Sequence, residues 1–139
     1  MAISQTQTTS FKVQLFEGVH DLLNDDIYIA LYTALADLNE NTTIYTTDQE
    51  ITGTGYTAGG KTLVNPTVNA SDGTAYISFD NISWTSSSFT ARGALIYNSS
   101  KANRSVAVLD FGSDKTTTST FTITFPANTA TSAIIRSSN

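Results

Sequence analysis

Residues 52–63 read T-G-T-G-Y-T-A-G-G-K-T-L, and within them Gly55, Gly60, Lys61 and Thr62 fall at the spacing G-x-x-x-x-G-K-[ST] of a phosphate-binding loop. In such a loop the backbone amides cradle phosphate oxygens, the lysine reaches the terminal phosphates and the hydroxyl meets magnesium. Downstream, Val106-Ala107-Val108-Leu109-Asp110 has the form of the apolar strand and acid that would hold that magnesium, and Asp110-Phe111-Gly112 mimics the metal-binding triplet of protein kinases. The chemistry requires a buried strand running into the loop and a helix running out of it. Thr46-Thr47-Asp48-Gln49-Glu50-Ile51 is no buried strand, and Leu63-Val64-Asn65-Pro66-Thr67-Val68 opposes helix through its proline and β-branched residues. No crossover helix is expected between 63 and 136, so the parallel sheet of a nucleotide enzyme cannot be built. The chain is also too short for the remaining kinase signatures. Gly55, Gly59 and Gly60 are therefore expected to serve tight turns in a surface loop, and no cofactor is expected.

The remaining reactive residue types point the same way. Cysteine is absent and His20 is the only histidine. A triad or a zinc site would need more than that. The spacing places His20 on the polar side of a helix, as a solvated side chain. Asp25, Asp26, Asp37, Glu40, Asp48 and Glu50 lack the alternation of a calcium loop and are read as loop acids. No catalytic or metal residue is assigned, and the protein is read as a non-enzyme. Five glycosylation sequons follow from an Asn-, Ser- and Thr-rich composition. Trp84 and the tyrosines raise stacking on a sugar ring as an alternative; core and cross-strand packing is the ordinary use of such rings. Tyr45 and Tyr56, on a long loop, are expected to be free for a ligand or a neighbouring subunit. Arg92 lies amid the apolar run Thr90-Ala91-Arg92-Gly93-Ala94-Leu95-Ile96-Tyr97 and needs a partner there, for which Asp110 is the candidate.

The elements that must position these residues are mostly strands. A polar N-terminal arm, 1–9, is expected to be mobile until a partner orders it. Thr9 or Ser10 offers an N-cap to an amphipathic helix over about 10–24, whose stripe is Phe11, Leu15, Phe16, Val19, Leu22 and Leu23. Gly18 weakens that helix slightly. Strands are expected at 27–33, 61–68, 75–80, 82–85, 89–97, 105–111, 120–125 and 133–136, separated by a long polar connection over 34–62 and by turns at 71–73, 86–88, 98–100 and 112–118. The expected fold is mainly β: an antiparallel sandwich or barrel-like domain spanning 10–139, with one helix on a face or end.

At 139 residues with a net charge of −5 and no basic run, the chain has no phosphate-neutralising surface for nucleic acid. It has no apolar run near the roughly 18 residues of a membrane span, and its first residues have neither the charge nor the apolar stretch of a signal peptide. Only 14% of residues are charged, against roughly a quarter in typical domains. Hydroxyls and amides take that place, which either lowers the cost of desolvating a surface against other proteins or reflects strand preference.

Three blocks, G-T-G-Y-T-A-G-G-K-T-L, W-T-S-S-S-F-T-A-R-G-A-L-I-Y-N and V-A-V-L-D-F-G-S-D-K, in that order and spacing, resemble small structural proteins of tailed bacteriophages. The likeness covers most of the chain after about residue 26. It implies a virion component without enzyme activity and carries no ligand or catalytic residues. The expected role is a capsid decoration or cement protein, made in the bacterial host cytoplasm and located on the virion. Its partners would be the major capsid protein, or neck and tail proteins in the alternative placement, with homo-oligomers expected. A carbohydrate-binding module displayed on the virion is the second alternative. The arm 1–9 and the loop 39–60 are the expected contact segments.

Overall fold

Along Ile27–Tyr32 (β2) successive side chains point to opposite faces, and Ile27, Ile29 and Leu31 enter one apolar cluster while Ala30 and Tyr32 enter another. A strand that is apolar on both faces belongs inside a sheet, and that is where β2 lies. The computed structural model describes residues 2–138 and is mainly β, with antiparallel sheets and one short helix near its N-terminus. The elements, in order, are Thr6–Gln7 (β1), Thr9–Phe16 (α1), β2, Lys61–Thr62 (β3), Thr67–Ser71 (β4), Thr74–Ser78 (β5), Ile82–Trp84 (β6), Phe89–Asn98 (β7), Arg104–Thr117 (β8), Phe121–Ile123 (β9) and Ile135–Ser137 (β10). A five-stranded sheet runs β1-β8-β7-β2-β3; a three-stranded sheet, β10-β5-β4, and the pair β6-β9 complete the strands.

The five-stranded sheet is the middle layer. On one side its side chains pack with Phe11 of α1, Ile77 and Phe79, Trp84, Phe121 and Ile135, so the helix and both smaller sheets cover that face. On the other side Ala30, Tyr32, Leu95, Tyr97 and Val108 meet Ala36 and Leu38 of the connection after β2. That connection lacks regular strands but is pinned by backbone bonds, among them Thr33 N–H to Gln49 O at 2.9 Å and Tyr45 N–H to Asn103 O at 2.9 Å.

Four expectations about the elements need correction. The helix spans Thr9–Phe16, not 10–24. Its cap is Thr8, whose Oγ1 accepts from Phe11 N–H at 3.4 Å. Its stop is Gly18, at φ +73, with Gly18 N–H bonded to Leu15 O and Val19 N–H bonded to Gln14 O. This pair of bonds around a left-handed glycine ends a helix. The arm is no free tail: Thr6 and Gln7 pair with Val108 and Ala107, and Ser4 N–H bonds Leu38 O at 2.9 Å. The open edge of β8 recruits it, because unpaired strand amides need partners. The expected strand 61–68 is two strands, broken at Asn65, φ +55, and Pro66. Finally, 112–118 is no terminal turn. β8 continues to Thr117, and residues 111–114 form a bulge opposite Arg92, since Ala91 pairs with Lys115 and Gly93 with Asp110. The expected turn at 71–73 is present: Asp72 and Gly73 both take positive φ between β4 and β5, the hairpin geometry that matches strand twist.

Candidate functional site

The glycine loop spends its amides inside the chain: Gly59 N–H goes to a carboxylate, and Tyr56 N–H and Gly60 N–H go to the loop carbonyls of Gly53 and Thr57. Glu50 Oε2 accepts from Gly59 N–H at 2.8 Å and from the Tyr56 hydroxyl at 2.5 Å, while Oε1 accepts from the Tyr45 hydroxyl at 2.6 Å. Tyr97 donates its hydroxyl to Gly59 O at 2.7 Å, and its ring stacks on Tyr45 with centroids 4.7 Å apart. The Tyr56 oxygen accepts in turn from Leu31 N–H at 3.0 Å, which ties the loop to β2. Gly60 lies so close to β2 that a Cβ there would overlap the Ile29 carbonyl. Gly55 passes against Ser87, where an added Cβ would come within 2.8 Å of the Ser87 Cα. The glycines therefore let the loop lie on the sheet.

The loop's lysine is also spent inside the chain. Lys61 Nζ donates to Ser83 O at 2.5 Å and stands 5.7 Å from the centroid of the Trp84 ring. Lys61 and Thr62 form the short edge strand β3, which pairs with Ile29 and Tyr28, and the next element is the strand β4. Asp110 lies on β8, three strand spacings across the sheet, or roughly 14 Å, from β3. The lysine and the acid of the apparent nucleotide motif thus never share a site.

Tyr45 and Tyr56, expected to be freer to contact a ligand or neighbour, donate their hydroxyls to Glu50, and Tyr56 packs edge-on to Phe89 at 5.9 Å. Burial and the Glu50 carboxylate push both phenols well above the ordinary tyrosine range. Burial raises Tyr32 likewise, and pushes Tyr97 up to about 12. Trp84 is 2% exposed, packed on Tyr56 and Phe121, so its face is not offered to a sugar. Among the described residues its Nε1 finds no hydrogen-bond partner.

Arg92 Nε donates to Asp110 Oδ1 at 3.0 Å, with roughly a third and a quarter of the side chains exposed (33% and 26%). Asp110 Oδ1 also accepts from Gly112 N–H at 2.9 Å, which closes the bulge. Gly112 first, then Arg92, hold the Asp110 carboxyl below the usual range.

His20 is not on a helix but in the turn after α1, half-buried against Phe11 at 5.0 Å between ring centroids. Gln14 Oε1 lies 2.7 Å from its Nε2, and Asn98 Nδ2 lies 3.0 Å from its Nδ1. Asn98 has a second amide hydrogen on Asp25 Oδ2 at 2.8 Å, and Lys101 Nζ bridges both Asp25 oxygens at 2.8 and 2.9 Å. An amide donor at Nδ1 and an amide acceptor at Nε2 fix the neutral tautomer protonated on Nε2, an assignment made from the network. Among the described residues the ring nitrogens bond amides rather than the hydroxyl and carboxylate of a triad. Among the described residues no group of three or more His, Cys, Asp or Glu side chains is placed to hold a metal.

What the surface offers instead is apolar. Phe16 is 95% exposed, with Val13, Leu15 and Leu23 exposed near it in sequence, and a groove of about 330 Å³ runs between this segment and the sheet β10-β5-β4. Leu15, Leu23, Val68 and Ile135 are among its walls. On the connection covering the opposite sheet face, Leu35 and Ile44 are exposed. No residue type in these patches stands out from its neighbours in the sequence. The one signal was the glycine at 18, which cuts the apolar stripe short and leaves Leu23 exposed while Leu22 packs against the core. Among the described residues no helix is long and apolar enough to cross a membrane. Set against protein-family models, curated proteins and solved structures, the chain matches none.

Proposed function

We propose that this protein is a non-enzymatic structural component of a tailed-phage virion, most specifically a decoration or cement protein on the capsid exterior. The observation that carries the reading is a division of labour among side chains. The groups with reactive potential, Glu50, Arg92, Asp110, Lys61, His20 and Asp25, bond within the chain, while large apolar side chains stay uncovered on two faces. Exposed apolar patches with a polar rim mark protein contact surfaces. Low surface charge lowers the desolvation cost of such contacts. The resemblance of the three sequence blocks to phage structural proteins supports the same reading.

The decisive measurement is the number of copies per purified particle, by quantitative mass spectrometry against the major shell protein. Copies in proportion to shell subunits support decoration; a count matching one ring assigns the chain to the neck or tail. Absence from the particle overturns the reading altogether. A glycan array separates off the carbohydrate-binding alternative, with no binding expected because Trp84 faces the core.

A further inference from the structure

We infer that the apolar groove beside α1 receives the acidic connection of a second copy of this chain, in a head-to-tail contact. The inference rests on reading the chain as an assembly subunit and names the partner of one surface. The two surfaces lie on opposite sides of the central sheet. α1 and the sheet β10-β5-β4 pack on one face, and the connection 33–50 packs on the other.

Their charges are complementary. At the Phe16 end the groove opens into a second depression bordered by Lys12 and Arg136 and, among the described residues, by no acid. Asp21 lines only the remainder of the groove. The connection has the reverse character: residues 13–60 contain no lysine or arginine, and Asp37, Glu40 and Asp48 are exposed on it. Ile44, 55% exposed, shares a shallow depression with Asp37, and so presents an apolar side chain beside a carboxylate. A groove-to-groove contact would bring Lys12 and Arg136 of two copies together, whereas groove-to-connection pairs each with acids. Because the two patches differ, the contact is heterologous, and repetition produces a ring or a chain.

The test uses two single variants of the purified full chain. Leu23→Asp spoils the groove wall and leaves the connection intact; Ile44→Asp does the opposite. Both side chains are mostly exposed, and unchanged thermal unfolding verifies that each variant folds. Wild type at high micromolar concentration should show masses of two or more copies by light scattering, weakening with salt. Each variant alone should be monomeric, and an equimolar mixture should double in mass, because one groove and one connection remain intact between them. Monomeric wild type overturns the inference, as does a mixture that stays monomeric, or a variant that still assembles. None of these outcomes bears on incorporation into particles, which the copy count measures separately.

Discussion

At the scale of single residues, the glycine loop is held by an anion, and that anion is Glu50. Its three donors, Tyr45, Tyr56 and Gly59 N–H, suit a carboxylate and do not suit an amide. Glu50→Gln places NH₂ hydrogens against at least one donor, and should cost about 1–3 kcal/mol, read as a lowered midpoint in chemical denaturation. A variant as stable as wild type would show that the loop needs no carboxylate. The Arg92–Asp110 pair behaves differently because water reaches both partners. Arg92→Met should cost less than about 1 kcal/mol, as for other exposed pairs. Asp110→Ala should cost more, because it also strips the Gly112 amide in the bulge of its acceptor. Equal losses in the two variants would argue that the bulge bond contributes nothing.

At the scale of elements, the short helix matters most, since its length decides what is exposed. A helix over 10–24 would have laid Leu15, Val19, Leu22 and Leu23 along one buried stripe. Gly18 turns the chain after two turns, and Leu15, Phe16 and Leu23 are left in solvent around the groove. A side chain at 18 meets no atom within 4 Å, so the cost of substitution is conformational only. Gly18→Ala should therefore destabilise by about 1 kcal/mol, the cost of forcing a residue with Cβ into the left-handed region. A larger loss would mean that the turn 18–26 rearranges. Much of this level was legible in the residues. The turn at 71–73, β2, β7 and β9 lie close to where alternation and turn residues placed them. The N-terminal pairing was not, because Thr6-Gln7 has no strand signature of its own and pairs only because β8 has a free edge.

At the scale of the whole molecule, acid stability depends on the cluster that joins α1, the turn 18–26 and the corner after β7. Desolvation, then Arg104, with Lys101 adding and Asp25 opposing, lowers the His20 pKa below 6.5. The unfolded chain then binds the proton more readily than the folded one. Stability from this source is complete above pH 6.5 and falls as the pH drops through the unfolded value toward the folded one. Asp25 acts lower on the scale. Desolvation pushes its carboxyl up, but Asn98, Lys101 and the Asp21 N–H outweigh this and hold it at about 2, against 3.8. That contribution is present above pH 3.8 and is lost as the pH falls through about 2. Denaturation midpoints measured from pH 8 downward should show both losses, with the first absent in His20→Gln and the second absent in Asp25→Asn. A flat profile in wild type would contradict the network.

The order of residues was enough to establish an antiparallel β protein, to rule out a helix directly after Lys61 and to mark Asp110 as the candidate partner of Arg92. Each of these depends on local pattern: alternation, a proline after the lysine, a charge amid apolar neighbours. The internal bonds of the candidate contact residues were visible only in three dimensions. Tyr45 and Tyr56 looked free because their loop is polar, yet both reach Glu50, which nothing in the spacing singles out. Phe16 looked buried because it lies on an apolar stripe, yet the chain leaves the helix before any element covers it. Burial is a property of what folds back over a side chain, and that depends on distant segments such as β4 and β10, which no local window contains.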